Sequence, residues 1–557
     1  MILPRKMMDK IWLANYSPEI PVTIDPDIYA SLPEFLEDLC RIYAEKTAFI
    51  NFGVTLSYHH LSLLSRDLAA YFQNELGLKP GDRLALMMPN ILQYPVALYA
   101  ALRAGLIIVN INPLYTAVEL KRELQNSGAK TLIVLANFIQ TVEIVYQELP
   151  QLTVIVTEIG DLFDKFKGFA FNFAVKYILW QAPVWFNKNF HDFQKILKKG
   201  HELAFKAPLI KSEDLAFLQY TGGTTGIPKA AMLTHRNLIA NILQCRAWIK
   251  GKLELGQEVL LAALPLYHIF SLTVSCFTFL ALGGTCVLVT NPRKISQLIS
   301  CWQKTSPSCM IGLNTLFLHL LVKPEFSNLD FKDLKLTVAG GMATSDKVAH
   351  AWQKITNCVI TEGYGLTEAS PVVAINPLNR AEFNGSIGFP VPATEIKICD
   401  DGGRELPINE IGELWVRGPQ VMSGYWQNPV ETAIVLDDER WLHTGDLVKM
   451  DGRGFIYLID RKKDLIIVSG FNVYPSEVER VIASHPQVAD VVVVGEAVPE
   501  TGEIIKAVIV KKESELTAEA IIQYCHQQLT PYKIPKKIEF RLSLPKSSLG
   551  KVLRREL

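Results

Sequence analysis

Residues Tyr220–Ala230, YTGGTTGIPKA, place three glycines, three threonines, one proline and a single lysine in one short run. Gly and Pro disfavour both a helix interior and a central strand, so the run reads as a loop. A glycine-rich loop lets successive backbone N–H groups converge on one anion, and hydroxyls add donors. Lys229 supplies a point charge, which makes phosphate the natural ligand. The run departs from the general P-loop pattern. Pro228 precedes the lysine, Ala230 stands where Ser or Thr would hold magnesium, and the glycine spacing differs. Taken alone, the stretch leaves an ordinary surface loop as the alternative.

The elements that must carry such a loop alternate along the chain. RLALMMPN (83–90) reads as a buried strand, ILQYPVALYAALRAG as a helix stopped at Gly105, and LIIVNIN as the next strand. TAVELKRELQNSG then reads as a helix with charge on one face, TLIVLA as a strand, and LTVAGG (336–341) as a strand running into a glycine pair. Strand–helix repetition with all-apolar strands implies an α/β fold of parallel-rich sheets covered by helices. The apolar stretch 259–290 contains no acid or lysine, but Pro265, Gly283 and Gly284 interrupt it. It is expected to form a buried strand, a buried helix and a second buried strand rather than a membrane span.

A charge cluster, DRKKD (460–464), lies between apolar segments and is linker-like. The expected division is a large domain over 1–459, a linker over 460–464 and a small α+β domain over 465–557. Within the last, Ser476 and Glu479 match a capping box opening the helix SEVERVIASH, VVVVG and AVIV read as strands, and TAEAIIQYCHQQL as an amphipathic helix.

Composition excludes several classes. At 557 residues the chain exceeds one ordinary core. Its net charge is zero, which argues against nucleic acid as a partner. Nine cysteines with no CxxC pair argue against zinc and a disulfide framework, and fit core residues in a reducing, cytoplasmic setting. The N-terminal MILPRKMMDKIWLANY lacks an apolar run long enough for a signal peptide.

The loop is followed, in order, by EGYGLTEAS (362–370), WLHTGD (441–446), DRKKDLIIVSGFNVYPSEVE (460–479) and PKSSLGKVLRREL (545–557). This set resembles the adenylate-forming superfamily of acyl-CoA synthetases, adenylation domains and luciferases over essentially the whole chain. LMMPNILQYPVALYAALRAG, NINPLYT, ALPLYHIF, VSGFNVYP and PYKIPK resemble the bacterial long-chain fatty acyl-CoA synthetases in particular. The resemblance implies two half-reactions. A fatty carboxylate attacks the α-phosphate of ATP, giving acyl-adenylate and pyrophosphate. The thiol of coenzyme A then attacks the acyl carbon and AMP leaves.

It also implies roles. Thr221, Gly222, Gly223, Thr224, Thr225, Gly226 and Lys229 would cradle the β- and γ-phosphates. Tyr364 would lie on adenine, with Gly340, Gly341, Gly365 and Thr367 around the nucleotide. Glu368, with Thr221, would ligate Mg2+, a hard cation that favours oxygen. Asp446 would accept from the ribose hydroxyls and Arg461 would reach ribose or phosphate. Lys551 would neutralise charge as carboxylate meets α-phosphate, an electrostatic role, and Lys229 and Glu368 would share the catalytic work. The small domain would then turn about Lys463, bringing Ser469, Gly470 and Phe471 to line the coenzyme A passage. Leu264, Tyr267 and His268 would border the acyl pocket. Family members usually carry Gly where this chain has Ala230, and a small effect is expected from its methyl.

Residues 165–200 hold seven lysines and one acid, Asp192. Phe166, Phe169, Phe173, Tyr177 and Trp180 fall at helical spacing, followed by Trp185, Phe186, Phe190 and Phe193. An aromatic face ringed by lysines fits peripheral contact with the anionic inner leaflet. An aromatic stripe packed on the large domain is the alternative. A homodimer, a carrier-protein thiol acceptor, another carboxylate substrate, and a non-catalytic fatty-acid-binding or transport role also stay open on sequence alone.

Overall fold

The computed structural model describes residues 10–178, 182–183, 187–221, 228–468, 471–498, 502–512, 515–547 and 552–557. The chain forms two compact units. One comprises Tyr16–Glu395 with Arg417–Arg440, the other Ile396–Val416 and Trp441–Leu557 with the N-terminal segment as far as Asn15.

The larger unit is built on two sheets. Among the described residues the first runs, in spatial order, His191–Asp192, Thr153–Thr157, Thr131–Leu135, Arg83–Met87, Ile107–Asn110, Leu215–Thr221 and Lys229–Thr234. Every pairing is parallel except the last. Leu84, Ala85, Leu86 and Met87 have no exposed surface, as strands covered on both faces require. The second sheet is parallel from Ile360–Gly365 through Leu336–Ala339, Cys309–Gly312, Val259–Ala262 and Thr285–Leu288 to Thr47–Asn51. Antiparallel strands flank it at both ends. The stretch 259–290 forms strand, helix and strand as expected. Its helical part includes a π-helical run, Leu272–Thr278, and no helix among the described residues is long and apolar enough to cross a membrane. Eight of the nine cysteines are buried in this framework or in the second unit.

Helix Lys165–Phe173 lies against the turn Ile159–Leu162 through Gly168 and Gly160. A Cβ on Gly160 would stand 2.6 Å from the Gly168 carbonyl oxygen, so only glycines allow this approach. The contact turns Phe171 inward onto Phe163 and Phe52 and leaves Phe166 and Phe169 86% and 71% exposed. Phe173 and Tyr177 are exposed too, whereas Phe190 and Phe193 are buried. The aromatic run is thus two sets: Phe190 and Phe193 fit the packed alternative, and the set 166–177 does not. Trp180, Trp185 and Phe186 lie outside the described residues.

The second unit contains a four-stranded sheet, Glu395–Cys399, Ile411–Arg417, Leu442–Met450 and Ile456–Arg461. It also contains a sheet in which Gly502–Lys511 pairs with Val488–Val498, Ile466–Val468 and Lys537–Arg541. Helices Pro475–Ala483 and Ala518–His526 bury Val478, Ile482, Ile521 and Cys525 against the latter. The capping box expected at Ser476 and Glu479 does not form. The helix begins one residue earlier, and Tyr474 at its N-cap offers no side-chain bond. Ser476 Oγ donates instead to the Ile459 carbonyl at 2.7 Å, and Glu479 accepts from the Val493 N–H at 2.8 Å. Long-range partners outcompeted the local ones. A full capping box does occur at Thr116 and Glu119, opening helix Ala117–Ser127.

Candidate active site

In the larger unit, strands Leu215–Thr221 and Lys229–Thr234 pair antiparallel with Thr221 opposite Lys229. The two ends of the glycine-rich loop therefore face each other, and Thr221 Oγ1 donates to the Lys229 carbonyl at 3.4 Å. Gly222, Gly223, Thr224, Thr225 and Gly226 lie outside the described residues. The Ala230 side chain is buried within the core of the first sheet.

Segment 422–426 stitches this hairpin to the turn carrying Glu368. The Met232 N–H donates to Gly424 O at 2.9 Å, the Trp426 N–H to Ala230 O at 2.8 Å, and the Met422 N–H to Glu368 O at 2.8 Å. Tyr425 thereby sits between the two. Its hydroxyl donates to Glu368 Oε1 at 2.6 Å, and its ring centroid lies 5.3 Å from Lys229 Nζ. Burial and then the Glu368 carboxylate push the Tyr425 phenol far above its usual range, so it stays a donor at any working pH. Lys229 also pairs with Glu431. Asn428 caps helix Pro429–Val435 by accepting from the Glu431 N–H, which places Glu431 in the first turn.

Gly340 and Gly341 follow strand Leu336–Ala339, beside the strand that ends in Tyr364 and Gly365. A Cβ on Gly340 would meet the Phe270 ring at 2.8 Å, so this glycine pair abuts the helix that starts after His268. A Cβ on Gly365 would fall 2.2 Å from the Pro371 carbonyl oxygen, which fixes glycine where the chain turns toward Thr367 and Glu368. Tyr364 is 8% exposed. Two residues before it, Glu362 accepts from the Thr344 N–H at 2.8 Å and so ties down the segment after Gly341; burial lifts its carboxyl to about 7.

Leu264 and Tyr267 are held by a buried amide network. Asn90 Nδ2 donates to Leu264 O at 2.8 Å, and Asn90 Oδ1 accepts from the Leu266 N–H at 2.8 Å. Gln219 donates to Tyr267 O at 3.0 Å and accepts from Asn110 at 2.9 Å. His268 Nδ1 caps its helix at the Phe270 N–H. Because Gln219 lies two residues before Thr221, the segment expected to border an acyl pocket is bonded to the strand that leads into the anion loop.

In the second unit, Asp446 and Arg461 face each other on paired strands, with Arg461 Nε 3.3 Å from Asp446 Oδ1. Asp446 is 6% exposed. Glu413 accepts from the Gly445 N–H at 3.0 Å and pairs with Lys462 at 3.0 Å, fixing the turn before Asp446 and the start of the linker. Lys463 is in the turn Lys462–Asp464. Phe471 is exposed and stacks on Tyr532 with centroids 4.8 Å apart. Ser469, Gly470 and Lys551 lie outside the described residues.

Reading the sequence missed Tyr425, Glu431, Asn90 and Gln219. Asn428-Pro429 followed by Glu431 is a legible helix start and points to Glu431. Tyr425 carries no local signal.

A family model described as "AMP-binding enzyme" matches residues 36–426, and one described as "AMP-binding enzyme C-terminal domain" matches 477–551. The chain belongs to the AMP-binding enzyme family. A relative of this AMP-binding enzyme, the long-chain-fatty-acid–CoA ligase of Salmonella typhimurium, is 49% identical over 550 residues, 99% of this chain and 98% of that protein. The protein of the same name from Escherichia coli O6:H1 is 48% identical with the same coverage. Among solved structures, an anthranilate CoA ligase in complex with anthranoyl-AMP matches with a TM-score of 0.83 at 25% identity, over 96% of this chain and 98% of that one. The resemblance drawn from the ordered motifs and the α/β architecture both stand.

Proposed function

We propose that this AMP-binding enzyme activates a long-chain fatty acid with ATP and passes the acyl group to coenzyme A, through an acyl-adenylate. The observation that carries the reading is full-length similarity to ligases of that name, together with the Lys229–Tyr425–Glu368 cluster at the mouth of the anion loop.

A free carboxylate resists a thiol because its charge repels the nucleophile and oxide leaves poorly. Joining it to AMP removes both obstacles. Lys229 and the hydroxyl-rich loop bind the β- and γ-phosphates, and Tyr364 with Gly340 and Gly341 holds the base. Asp446 accepts from the ribose hydroxyls, oriented by Arg461. Lys551 neutralises charge at the α-phosphate as the carboxylate oxygen bonds to phosphorus and pyrophosphate departs. The small domain then turns about Lys463, withdrawing Lys551 and presenting Ser469–Phe471 to the thiol; the thiol sulfur bonds to the acyl carbon and AMP leaves.

Donor chemistry supports Mg2+ here: Glu368 has a carboxylate and Thr221 a hydroxyl, both oxygen donors of the kind this hard cation favours. One protein carboxylate plus substrate phosphates is how Mg2+ is ordinarily held. Bound there by Glu368 and Thr221, it would offset phosphate charge. The test is pyrophosphate release over a panel of carboxylates, with coenzyme A compared against a carrier protein. Highest turnover with long-chain acids and a CoA thioester product is expected; preference for an aromatic or short acid, or for the carrier protein, would replace the reading.

A second reading is favoured by the exposed set Phe166, Phe169, Phe173 and Tyr177. With Lys165 and Lys167 on the same helix, it suits peripheral contact with an anionic bilayer, where the substrate partitions.

A further inference from the structure

The turn that carries Glu368, Thr367–Ala369, ends at Ser370, whose φ of 70° and ψ of 16° are left-handed. Eight non-glycine residues among those described take a positive φ, and of these Ser370 alone is buried. Glycine adopts this conformation at no steric cost, whereas a side chain stays there only where its surroundings hold it. A serine at this position therefore points to a task for its hydroxyl.

Both polar groups of Ser370 are committed to other elements. Its Oγ donates to the Gln420 carbonyl at 2.8 Å, and its own carbonyl accepts from Thr273 Oγ1 at 2.7 Å. Ser370, Thr273 and Gln420 have no exposed surface. Thr273 belongs to the π-helical run Leu272–Thr278. Gln420 lies two residues before Met422, whose N–H holds the Glu368 carbonyl, and five before Tyr425, whose hydroxyl holds the Glu368 carboxylate. Gln420 is itself fixed: its Nε2 donates to Thr394 Oγ1 at 2.7 Å and its Oε1 accepts from Gln244 Nε2 at 3.1 Å. Within the turn, the Ser370 N–H donates to Thr367 O at 3.3 Å, and the Leu366 N–H donates to Pro371 O at 3.0 Å. Just past it, Asn241 donates to Val372 O at 2.8 Å and accepts from the Val372 N–H at 2.9 Å. One serine thus joins the Glu368 turn to a buried helix on one side and to the segment of Tyr425 on the other.

We propose that Ser370 is a positioning residue for metal-assisted adenylation: clamped between Thr273 and the Gln420 carbonyl, it holds the turn that aims the Glu368 carboxylate. The proposal rests on the reading of Glu368 as a Mg2+ ligand given above. Ser370 itself touches neither nucleotide nor metal. Loosening it lets Glu368 shift relative to Tyr425, and a carboxylate displaced in this way binds the cation less well. Contacts to ATP that do not pass through the cation are left as they are.

The test uses the full chain and two readouts. ATP binding is measured by calorimetry with Mg2+ and again in EDTA, and acyl-adenylate formation from a long-chain acid is titrated with Mg2+. Ser370→Gly removes the hydroxyl while easing the backbone conformation. It is expected to weaken ATP binding in Mg2+, and to raise the Mg2+ concentration for half-maximal rate, each by roughly three- to ten-fold, with binding in EDTA within about two-fold. Thr273→Val takes the donor from the Ser370 carbonyl and should act in the same direction, whereas Thr273→Ser keeps the hydroxyl and should stay within about two-fold of wild type. In the Glu368→Gln background Ser370→Gly should cost nothing more, because both act through one carboxylate. Unchanged Mg2+ curves, equal weakening of ATP binding with and without Mg2+, or additive losses with Glu368→Gln would overturn the proposal. Wild-type ATP binding that is indifferent to Mg2+ would remove the reading of Glu368 and the proposal with it. A wild-type protein that binds ATP with Mg2+ but forms no acyl-adenylate would remove the functional reading alone, and the binding comparison would still decide the role of Ser370.

Discussion

Tyr425 gives its hydroxyl to Glu368 across 2.6 Å while its ring lies under the Lys229 ammonium. One side chain thus fixes the spacing between a cation and an anion that come from distant parts of the sequence. Removing the hydroxyl leaves the Glu368 carboxylate without its fixed donor. Hydrogen bonds to charged groups contribute ~1.5–3 kcal/mol. Tyr425→Phe is therefore expected to lower the adenylation rate about ten-fold and to raise the Mg2+ concentration needed for half-maximal rate. A magnesium titration of acyl-adenylate formation checks this; an unchanged curve would separate Tyr425 from the site.

Lys229 forms an ion pair with Glu431. Both side chains keep some solvent contact, so the pair itself contributes little to stability. Lys229→Ala should raise the KM for ATP by about ten-fold or more, in line with loss of a charge-assisted phosphate contact. Glu431→Gln should change it by less than about three-fold, since the ammonium remains. Competition binding with ATP distinguishes these outcomes.

The fold was legible wherever a pattern was locally complete. All-apolar strands such as LALM and TLIVL, separated by helical stretches, required parallel sheets covered on both faces, and the two sheets of the larger unit have that form. Stretch 259–290 was readable because prolines and glycines marked its joints. The capping box at Thr116 and Glu119 formed, yet the equally good pattern at Ser476 and Glu479 did not, because Ile459, Val493 and Arg554 claimed those side chains. The same limit applies to the site. Motif residues carried their own signatures, but Tyr425, Asn90 and Gln219 act through tertiary contacts that no local spacing encodes.

Glu123 offers a pH test of the larger unit. Both its carboxyl oxygens are shielded from solvent, and burial lifts the group to about 8 from an ordinary 4.5, with Tyr115 and Arg122 opposing. A raised carboxyl favours the folded state below pH 4.5; that contribution fades as pH rises and is gone above about 8. Glu123→Gln should therefore melt higher than the wild type at pH 8, by at least about 2–4 °C, and the gap should shrink toward pH 5. Thermal unfolding across that range checks the sign; a gap that widens on acidification contradicts it.

The exposed aromatics on helix Lys165–Phe173 predict binding to vesicles containing anionic lipid. Phe169→Ser with Phe173→Ser should abolish co-flotation without altering turnover on a water-soluble medium-chain acid. Flotation that is absent in the wild type, or unchanged in the double variant, removes the membrane contact.

In the proposed reaction Lys551 and the anion loop act on one ATP to convert a lipid carboxylate into an acyl donor. Pyrophosphate exchange into ATP, driven by a long-chain fatty acid and Mg2+, measures this directly. Wild-type protein should exchange, and Lys551→Ala should fall by ~10²–10³-fold while still converting supplied acyl-adenylate to thioester. No exchange by folded wild-type protein, or full exchange by Lys551→Ala, would contradict the account.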